Sequence, residues 1–335
     1  MLSSEIKSKA LELGYLACGI IPANIFDEYT QYLDKRVASF PESKELYAPL
    51  YGIARQPETA KSVIVCTKRY NTYKISDNLN GRIGKIYLFE PRGPYTQEFR
   101  DKNGFEAYLK KIGLSILQSY VPARWAAAKA GLGKFGQNNF IYTTEHGSYI
   151  WIDTWVVDTE LEHDNIEKDT MQSACNNSCH KCIQACPTHA LSDSLSMDRG
   201  RCVAHLSWKA KDTLDEDTRV QMGQWLYGCD VCQDVCPVNQ DRFTETEVNP
   251  LIAEIAEYLE PERLLEMDES TYLDIINPRF HFIDKDSLWL WKCNALRSII
   301  NSGETKHHAL IKQCCEHDDI RIRELAQWGC ERLEI

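Results

Sequence analysis

The sequence predicts a mixed helix and strand domain, then a cysteine-rich loop domain, then a helical region. Three observations support this prediction. Strand and helix patterns are mixed over residues 1–160, eight of the 14 cysteines lie between 175 and 236, and helical periodicity prevails from about residue 287. We expect three parts, at 1–160, 161–245 and 246–335, and we class the first as α+β or α/β.

The first part combines helical and strand patterns in sequence order. Apolar residues at helical spacing predict helices over 4–17, 97–117 and 124–130, the last ending at Gly131. The run 62–67 is rich in β-branched residues and predicts a short buried strand. Segments 139–142 and 148–157 predict a strand hairpin around residues 145–147.

The middle part contains two cysteine runs and one isolated cysteine. The first run reads C-x3-C-x2-C-x3-C-P and consists of Cys175, Cys179, Cys182 and Cys186. The second reads C-x2-C-x3-C-P and consists of Cys229, Cys232 and Cys236, with Cys202 between the runs. Bacterial ferredoxins bind [4Fe–4S] clusters with the related run C-x2-C-x2-C-x3-C-P. Structural zinc also uses C-x2-C pairs, but zinc does not explain two C-x3-C-P endings.

The runs therefore predict a ferredoxin-like domain with two [4Fe–4S] clusters that exchange their last cysteines. The first predicted ligand set is Cys175, Cys179, Cys182 and Cys236. The second predicted set is Cys186, Cys202, Cys229 and Cys232. The first run departs from the ferredoxin run in its first gap, which has three residues and not two. In the second set, Cys202 must come from about 27 residues upstream, and a loop allows this at modest entropic cost.

In the last part, the helical periodicity of apolar residues predicts helices over 288–300, 306–315 and 320–333. These segments resemble one to one and a half HEAT repeats, whereas a self-supporting solenoid needs roughly three. We therefore expect them to pack on the rest of the protein. An ordinary helical cap is the alternative, and the sequence hardly separates the two.

Charge is distributed unevenly along the chain, whose net charge is −11. Residues 61–140 hold 14 basic and five acidic side chains, and residues 246–335 hold 10 basic and 18 acidic ones. An anionic ligand is therefore expected to meet the basic segment. The sequence has no apolar run near the roughly 18 residues of a membrane helix and no signal-peptide pattern, so we expect a cytoplasmic protein without a membrane partner.

The glycines at 131, 133 and 136 fit the dinucleotide-binding pattern G-x-G-x-x-G. That pattern should follow a strand and open a helix. Here the glycines follow an alanine-rich helical segment and lead into a strand pattern, so we exclude a dinucleotide site.

The segment 122–139, which includes Ala130-Gly131-Leu132-Gly133, resembles the signature A-G-L-G-x-x-G-K-N of epoxyqueuosine reductases. The cysteine order, the pair Arg201-Cys202, the segments 13–20 and 227–237 and the HEAT-like end resemble the same family, and more distantly the reductive dehalogenases. The resemblance covers nearly the whole chain. It implies a cobalamin-dependent iron–sulfur oxidoreductase whose N-terminal domain binds the corrinoid, with electrons supplied by a donor such as ferredoxin or flavodoxin.

The resemblance also implies which residues bind the corrinoid and which supply a proton. The implied corrinoid contacts are Gly131, Gly133, Gly136, Gln137 and Asn138. The family has an aspartate three residues before the proline, thought to donate a proton, and here Ser119 stands there, a far poorer acid. Tyr120 and Tyr142 are the nearest candidates for its replacement, and the alternative for each, which the sequence favours, is a packed aromatic residue with a satisfied hydroxyl.

These departures bear on the expected substrate. The lysine that usually follows the third glycine is Gln137, and the acidic C-terminal region argues against tRNA, since nucleic-acid affinity depends on phosphate neutralisation. We therefore expect a reductase of an unidentified small-molecule substrate, with tRNA an unlikely partner. The alternatives are an epoxyqueuosine reductase of tRNA queuosine synthesis, or an electron-transfer protein that reduces a partner's corrinoid or cluster.

Overall fold

The computed structural model of the chain describes residues 2–89, 96–171, 173–176, 178–193, 195–210, 214–242, 247 and 249–335. Within these ranges the strands are β1 (Ala17–Pro22), β2 (Ser62–Arg69), β3 (Lys134–Phe135), β4 (Ile141–Tyr142), β5 (Ile150–Val157), β6 (Leu191–Asp193) and β7 (Ser196–Met197).

Helices account for much of the remaining described chain. The α-helices are α1 (Leu2–Glu12), α2 (Asp27–Ser39), α3 (Lys44–Gly52), α4 (Gln97–Lys111), α5 (Ala123–Lys129), α6 (Lys181–Gln184), α7 (Val203–Lys209), α8 (Glu216–Gln221), α9 (Val231–Asp234), α10 (Pro250–Tyr258), α11 (Pro261–Glu266), α12 (Glu269–Thr271), α13 (Leu288–Ser302), α14 (His308–Cys314) and α15 (Ile320–Leu333). Short 3-10 helices lie at Pro41–Ser43, Lys85–Phe89, Arg199–Arg201, Pro237–Asn239 and Thr305–His307, and a π-helix lies at Tyr272–Ile276.

A three-stranded sheet of order β1-β2-β5 forms the centre of the N-terminal part, and both pairings are antiparallel. Alternate residues of β2 enter two separate cores. Ile64 packs in one core with Phe105 of α4, and Val65 packs in the other with Trp125 of α5. Helices thus cover both faces of the sheet, which explains why β2 reads as a continuous apolar run. The antiparallel pairing makes this part α+β, and the predicted buried strand is confirmed.

Three sequence predictions differ from the observed elements. The helix predicted over 4–17 ends at Glu12, because Gly14 adopts a left-handed conformation with φ +80° and the strand β1 begins at Ala17. The helix predicted over 97–117 ends at Lys111, because Gly113 adopts a left-handed conformation with φ +91° and turns the chain. The predicted hairpin of 139–142 with 148–157 is wrong. β4 pairs with β3, and β5 pairs with β2, which lies some 90 residues earlier.

The three C-terminal helices lie close to their predicted bounds, and α15 has the predicted bounds of 320–333. They pack on the preceding chain, as expected. The ring of Trp291 in α13 stacks on Tyr227 with centroids 5.3 Å apart and planes at 5°. Asn294 donates to the carbonyl of Leu226 at 3.0 Å, and Arg297 donates to the carbonyl of Gly223 at 2.8 Å.

The expected domain boundaries stay a prediction, and the one near 245 lies outside the described residues. Among the helices that the structure describes, none is long and apolar enough to cross a membrane.

Candidate functional site

The cysteines of the first predicted set face one another. Cys182 lies in the short helix α6, and its pKa is raised to about 11 by burial and by the charges of Cys175, Cys236 and Cys179. These three neighbours are the other members of that set. The chain therefore brings Cys236 back to the first run across more than 50 residues.

The second predicted set converges in the same way. Burial raises the pKa of Cys229, and the charges of Cys202 and Cys186 raise it further. Burial likewise raises the pKa of Cys232, with contributions from Cys229 and Cys202. Cys182 of the first set also acts on Cys232, so the two sets lie side by side. The isolated Cys202 is thus placed with the second run.

The local fold explains this convergence. Each run contains a four-residue helix, α6 or α9, and the two helices pack against each other. In the described part of the chain, no group of three or more His, Cys, Asp or Glu side chains is placed to hold a metal ion. The ligands of a four-iron cluster each bind a different iron, so their arrangement differs from that of ligands sharing one ion.

A short hairpin of β3 and β4 lies against the first set. The Ala174 N–H donates to the Phe135 carbonyl at 2.7 Å, which joins the hairpin to the residue before Cys175. Glycine is required at two hairpin positions for packing. A Cβ on Gly133 would lie 2.5 Å from Cγ2 of Ile141, and a Cβ on Gly136 would lie 2.3 Å from Cε2 of Tyr142. The absence of these side chains makes room for β4.

Gln137 and Asn138 contact the cysteine segments directly. The Gln137 N–H donates to Sγ of Cys175 at 3.4 Å. The amide nitrogen of Asn138 donates to the carbonyl of Cys232 at 3.1 Å. The turn between β3 and β4 therefore touches one cysteine of each predicted set.

Tyr142 is buried, with 5% of its surface exposed. Burial raises the pKa of its hydroxyl, and a hydrogen bond and charge interaction with Cys236 raise it further. The same hydroxyl accepts a hydrogen bond from the Asn138 amide at 2.9 Å. This predicted proton donor therefore lies against a predicted cluster ligand.

The other predicted donor, Tyr120, lies at the surface and is 79% exposed. Ser119 is half-buried, and its hydroxyl donates to the Gln56 side-chain oxygen at 2.7 Å. Gln56 in turn donates to the Tyr120 carbonyl at 2.9 Å. This segment is held to the loop after α3 by Gln56, and the Tyr120 ring is left in solvent.

A cavity of about 460 Å³ borders the hairpin and reaches residues that are close in sequence to the first cysteine set. Gly131 and Gly133 line one side, Tyr142 lines another, and Ala174 and Val238 bring the cavity next to Cys175 and Cys236. Gly131 has φ +69°, and a Cβ there would have no atom within 4 Å. Of the three predicted glycines, Gly131 is the one whose missing side chain leaves open space.

Sequence reasoning missed a buried charge group beside the second set. The Lys85 ammonium lies 2.6 Å from Oδ1 of Asp234 and 3.5 Å from Oδ2 of Asp230. The Lys85 N–H also donates to Asp230 at 2.6 Å. Although burial opposes the charge, these carboxylates raise the pKa of Lys85. Burial raises the pKa of Asp230 despite the lysine. In the sequence, the one signal for this buried charge group is the position of Asp230 between Cys229 and Cys232.

Arg124 was likewise missed. Its guanidinium donates to the Asn139 carbonyl at 3.1 Å and lies 4.7 Å from the centroid of the Phe140 ring. Burial lowers its pKa, while the charge of Cys232 raises it. It places a positive charge near the second set, and no spacing rule in the sequence singles it out.

The cysteine segments, and most of the chain around them, are similar to known proteins. The family model of the 4Fe-4S double cluster binding domain matches residues 174–239. The chain is similar to the epoxyqueuosine reductase of Cellulophaga algicola, with 30% identity over 265 residues, 74% of this chain and 82% of that protein. It is similar in fold to a selenomethionine-labelled epoxyqueuosine reductase, with a TM-score of 0.74, 22% identity, and coverage of 99% and 90%.

A further solved structure, with a TM-score of 0.72 and 22% identity, is an epoxyqueuosine reductase with a tRNA stem loop that contains epoxyqueuosine. It covers 99% of this chain, and this chain covers 90% of it. These relatives overturn the expectation that tRNA is an unlikely partner. The net charge of a whole region does not give the electrostatic potential at one surface. The acidic C-terminal part was therefore weak evidence against tRNA binding. The expectation of a small-molecule substrate is less well supported than its alternative.

Proposed function

The chain belongs to the epoxyqueuosine reductase family, and on that premise we propose that it reduces epoxyqueuosine in tRNA. The observation that supports this best is the match to the Cellulophaga algicola enzyme over 82% of that protein. The double cluster domain at 174–239 supplies the redox part of such an enzyme. Removal of an epoxide oxygen takes two electrons and two protons and gives an alkene and water.

The ligands of the two clusters are the two cysteine sets. One set is Cys175, Cys179, Cys182 and Cys236, and the other is Cys186, Cys202, Cys229 and Cys232. The packing of helix α6 of the first run against helix α9 of the second supports a domain in which the two runs exchange their last cysteines. Because the two sets are adjacent, clusters held by them would form one path for electrons through the domain.

Cobalamin is the proposed cofactor that acts on the epoxide, and it would supply a strongly reducing cobalt centre. The open space at Gly131 and the cavity that reaches the residues beside Cys175 and Cys236 fit a group bound next to the first set. Gly131 offers backbone without a side chain to such a group. Gly133 lines the same cavity, and Gly136 leaves room for the ring of Tyr142, which also lines it.

Tyr120 is the proposed proton donor in place of the family's aspartate. It is next to Ser119, and its ring is exposed to an incoming substrate. Tyr142, in contrast, is buried, and its hydroxyl accepts a hydrogen bond from the Asn138 amide.

The proposal is tested with tRNA that contains epoxyqueuosine. Protein with full iron content, cobalamin and a strong chemical reductant is incubated with this tRNA, and the digested nucleosides are analysed by mass spectrometry. We expect loss of one oxygen from epoxyqueuosine, at a rate that depends on both cobalamin and reductant. The enzyme of Cellulophaga algicola serves as positive control. No conversion by the loaded protein, while the control turns over, overturns the proposal.

A further inference from the structure

We propose that Cys315 and Cys330 form a reversible disulfide when the protein meets a low-molecular-weight disulfide such as oxidised glutathione. The bond ties the end of α14 to α15 and makes this helix pair sensitive to redox conditions. Neither cysteine belongs to the two cluster sets, so the inference goes beyond the proposed function and does not depend on it.

The sulfurs of these two cysteines are in contact in the folded chain. Sγ of Cys315 lies 3.7 Å from Sγ of Cys330, although 15 positions separate the two residues in the sequence. The sulfurs of a disulfide are about 2.05 Å apart, so the pair must approach by roughly 1.7 Å. The fold has already closed the intervening loop, and the entropic cost of closing it no longer opposes the bond.

The position of Cys315 at a helix end allows this approach. Cys315 directly follows the last residue of α14, and its N–H donates to the carbonyl of Lys312 at 3.1 Å. Its thiol donates only a weak hydrogen bond, at 3.7 Å, to the carbonyl of Ile311. Helix ends fray more readily than helix interiors. A small shift of this turn, or rotation of the side chain, therefore brings the sulfurs together.

Both thiols are accessible to a small oxidant. Cys315 and Cys330 are half-buried, whereas the adjacent Cys314 is buried among the apolar side chains of the C-terminal helices. Burial and the hydrogen bond with Cys330 raise the pKa of Cys315 to about 11. Few molecules therefore hold the reactive thiolate at neutral pH, so the exchange is slow and is best followed in mild alkali.

The exchange balances in atoms and electrons. One protein thiolate attacks a sulfur of oxidised glutathione, forms a mixed disulfide and releases one glutathione thiolate. The second protein thiol loses its proton to solvent, attacks the protein sulfur of the mixed disulfide and releases the second glutathione. The protein loses two electrons, and oxidised glutathione gains them and becomes two glutathione molecules. Since the second thiol is already in contact with the first, its attack is effectively intramolecular and fast.

The test is peptide mapping of the full-length, iron-loaded protein after anaerobic incubation with oxidised glutathione in mild alkali. Remaining thiols are blocked with N-ethylmaleimide, and the protein is digested with trypsin. Cleavage after lysine and arginine places the two cysteines in peptides 313–321 and 324–332, which contain no cluster cysteine. We expect these peptides to be joined to each other at least about tenfold more often than to any other cysteine peptide. Dithiothreitol should separate them.

Three serine variants assign the bond. Cys315→Ser and Cys330→Ser should lose the joined peptides and keep one glutathione on the remaining cysteine, because the second step has no thiol. Cys314→Ser is the matched control, since it removes the neighbouring buried thiol and should give joined peptides at the wild-type level. Absence of joined peptides in the wild-type protein overturns the inference. Their persistence in Cys315→Ser also overturns it, because the bond then belongs to Cys314.

Discussion

The ring of Tyr142 lies in the space that any side chain at position 136 would occupy. The distance from a Cβ at 136 to Cε2 of Tyr142 would be 2.3 Å, which no real pair of carbon atoms tolerates. A glycine that resembles part of a cofactor loop therefore has a structural reason of its own. It allows β4 to place the ring of Tyr142 directly over the turn of the hairpin.

We expect Gly136→Ala to destabilise the protein by about 1–3 kcal/mol, the usual cost of forcing extra volume into a packed site. The measurement is urea denaturation at neutral pH, followed by tryptophan fluorescence. Gly52→Ala is the control, because a Cβ at 52 would meet no atom within 4 Å. Equal stability of the two variants would contradict the packing described here.

Cys202→Ser should reduce the iron content from about eight to about four per chain, or convert one cluster to a three-iron form. Cys202 is the member of the second set that comes from outside the runs. Iron analysis and EPR measure the change. Cys293→Ser, in α13 and outside both sets, should keep full iron. Full iron in Cys202→Ser would refute its role as a ligand.

Lys85→Met should lower the free energy of unfolding by about 3–5 kcal/mol, since it leaves the buried carboxylate of Asp230 without its cation. The side chains of Lys85 and Asp230 are 9% and 2% exposed. Chemical denaturation measures the loss. Lys209→Met breaks the exposed pair with Asp284 and should change stability little. A small loss of unfolding free energy in Lys85→Met would contradict this prediction, and would mean that Asp230 takes up a proton at low cost.

Asp319→Ala should cost about 1 kcal/mol, because Asp319 caps α15 by accepting from the Arg321 N–H at 2.9 Å. Its hydrogen bond with the Arg321 side chain outweighs burial and holds the pKa of Asp319 below its usual range. Its stabilisation is thus complete above the ordinary carboxyl pKa and is lost only as pH falls through the lowered value. The cost should be equal at pH 7 and pH 5. Asp318→Ala, exposed and not a cap, is the control.

Tyr120→Phe should slow epoxyqueuosine reduction by about 10²–10⁴-fold, as expected for the loss of a positioned general acid. Single-turnover rates on modified tRNA measure the effect, at full iron and cobalamin loading. Tyr108→Phe is the control, because this tyrosine lies in α4 with its ring near the Lys9 ammonium. An unchanged rate in Tyr120→Phe would remove this tyrosine from the mechanism.

The sequence was sufficient where the determining contacts are local. The bounds of α15 were predictable because Asp319 caps a periodic helix. The cysteine runs identified the double cluster domain because short spacing alone limits the chemistry. Long-range contacts were not predictable. β5 pairs with a strand some 90 residues earlier, and neither the contact of Gly136 with Tyr142 nor the burial of Lys85 leaves a periodic signal.

The contacts of α13 have a consequence for biosynthesis. Asn294 and Arg297 bind the carbonyls of Leu226 and Gly223, in the loop that leads to Cys229. A growing chain presents all eight cluster cysteines once residue 236 has left the ribosome, yet this loop lacks those partners until α13 follows. The carbonyls of Leu226 and Gly223 therefore gain these donors only after the C-terminal helices have been made. A chain that ended before α13 would keep all eight cysteines but would lack these contacts in the loop before Cys229.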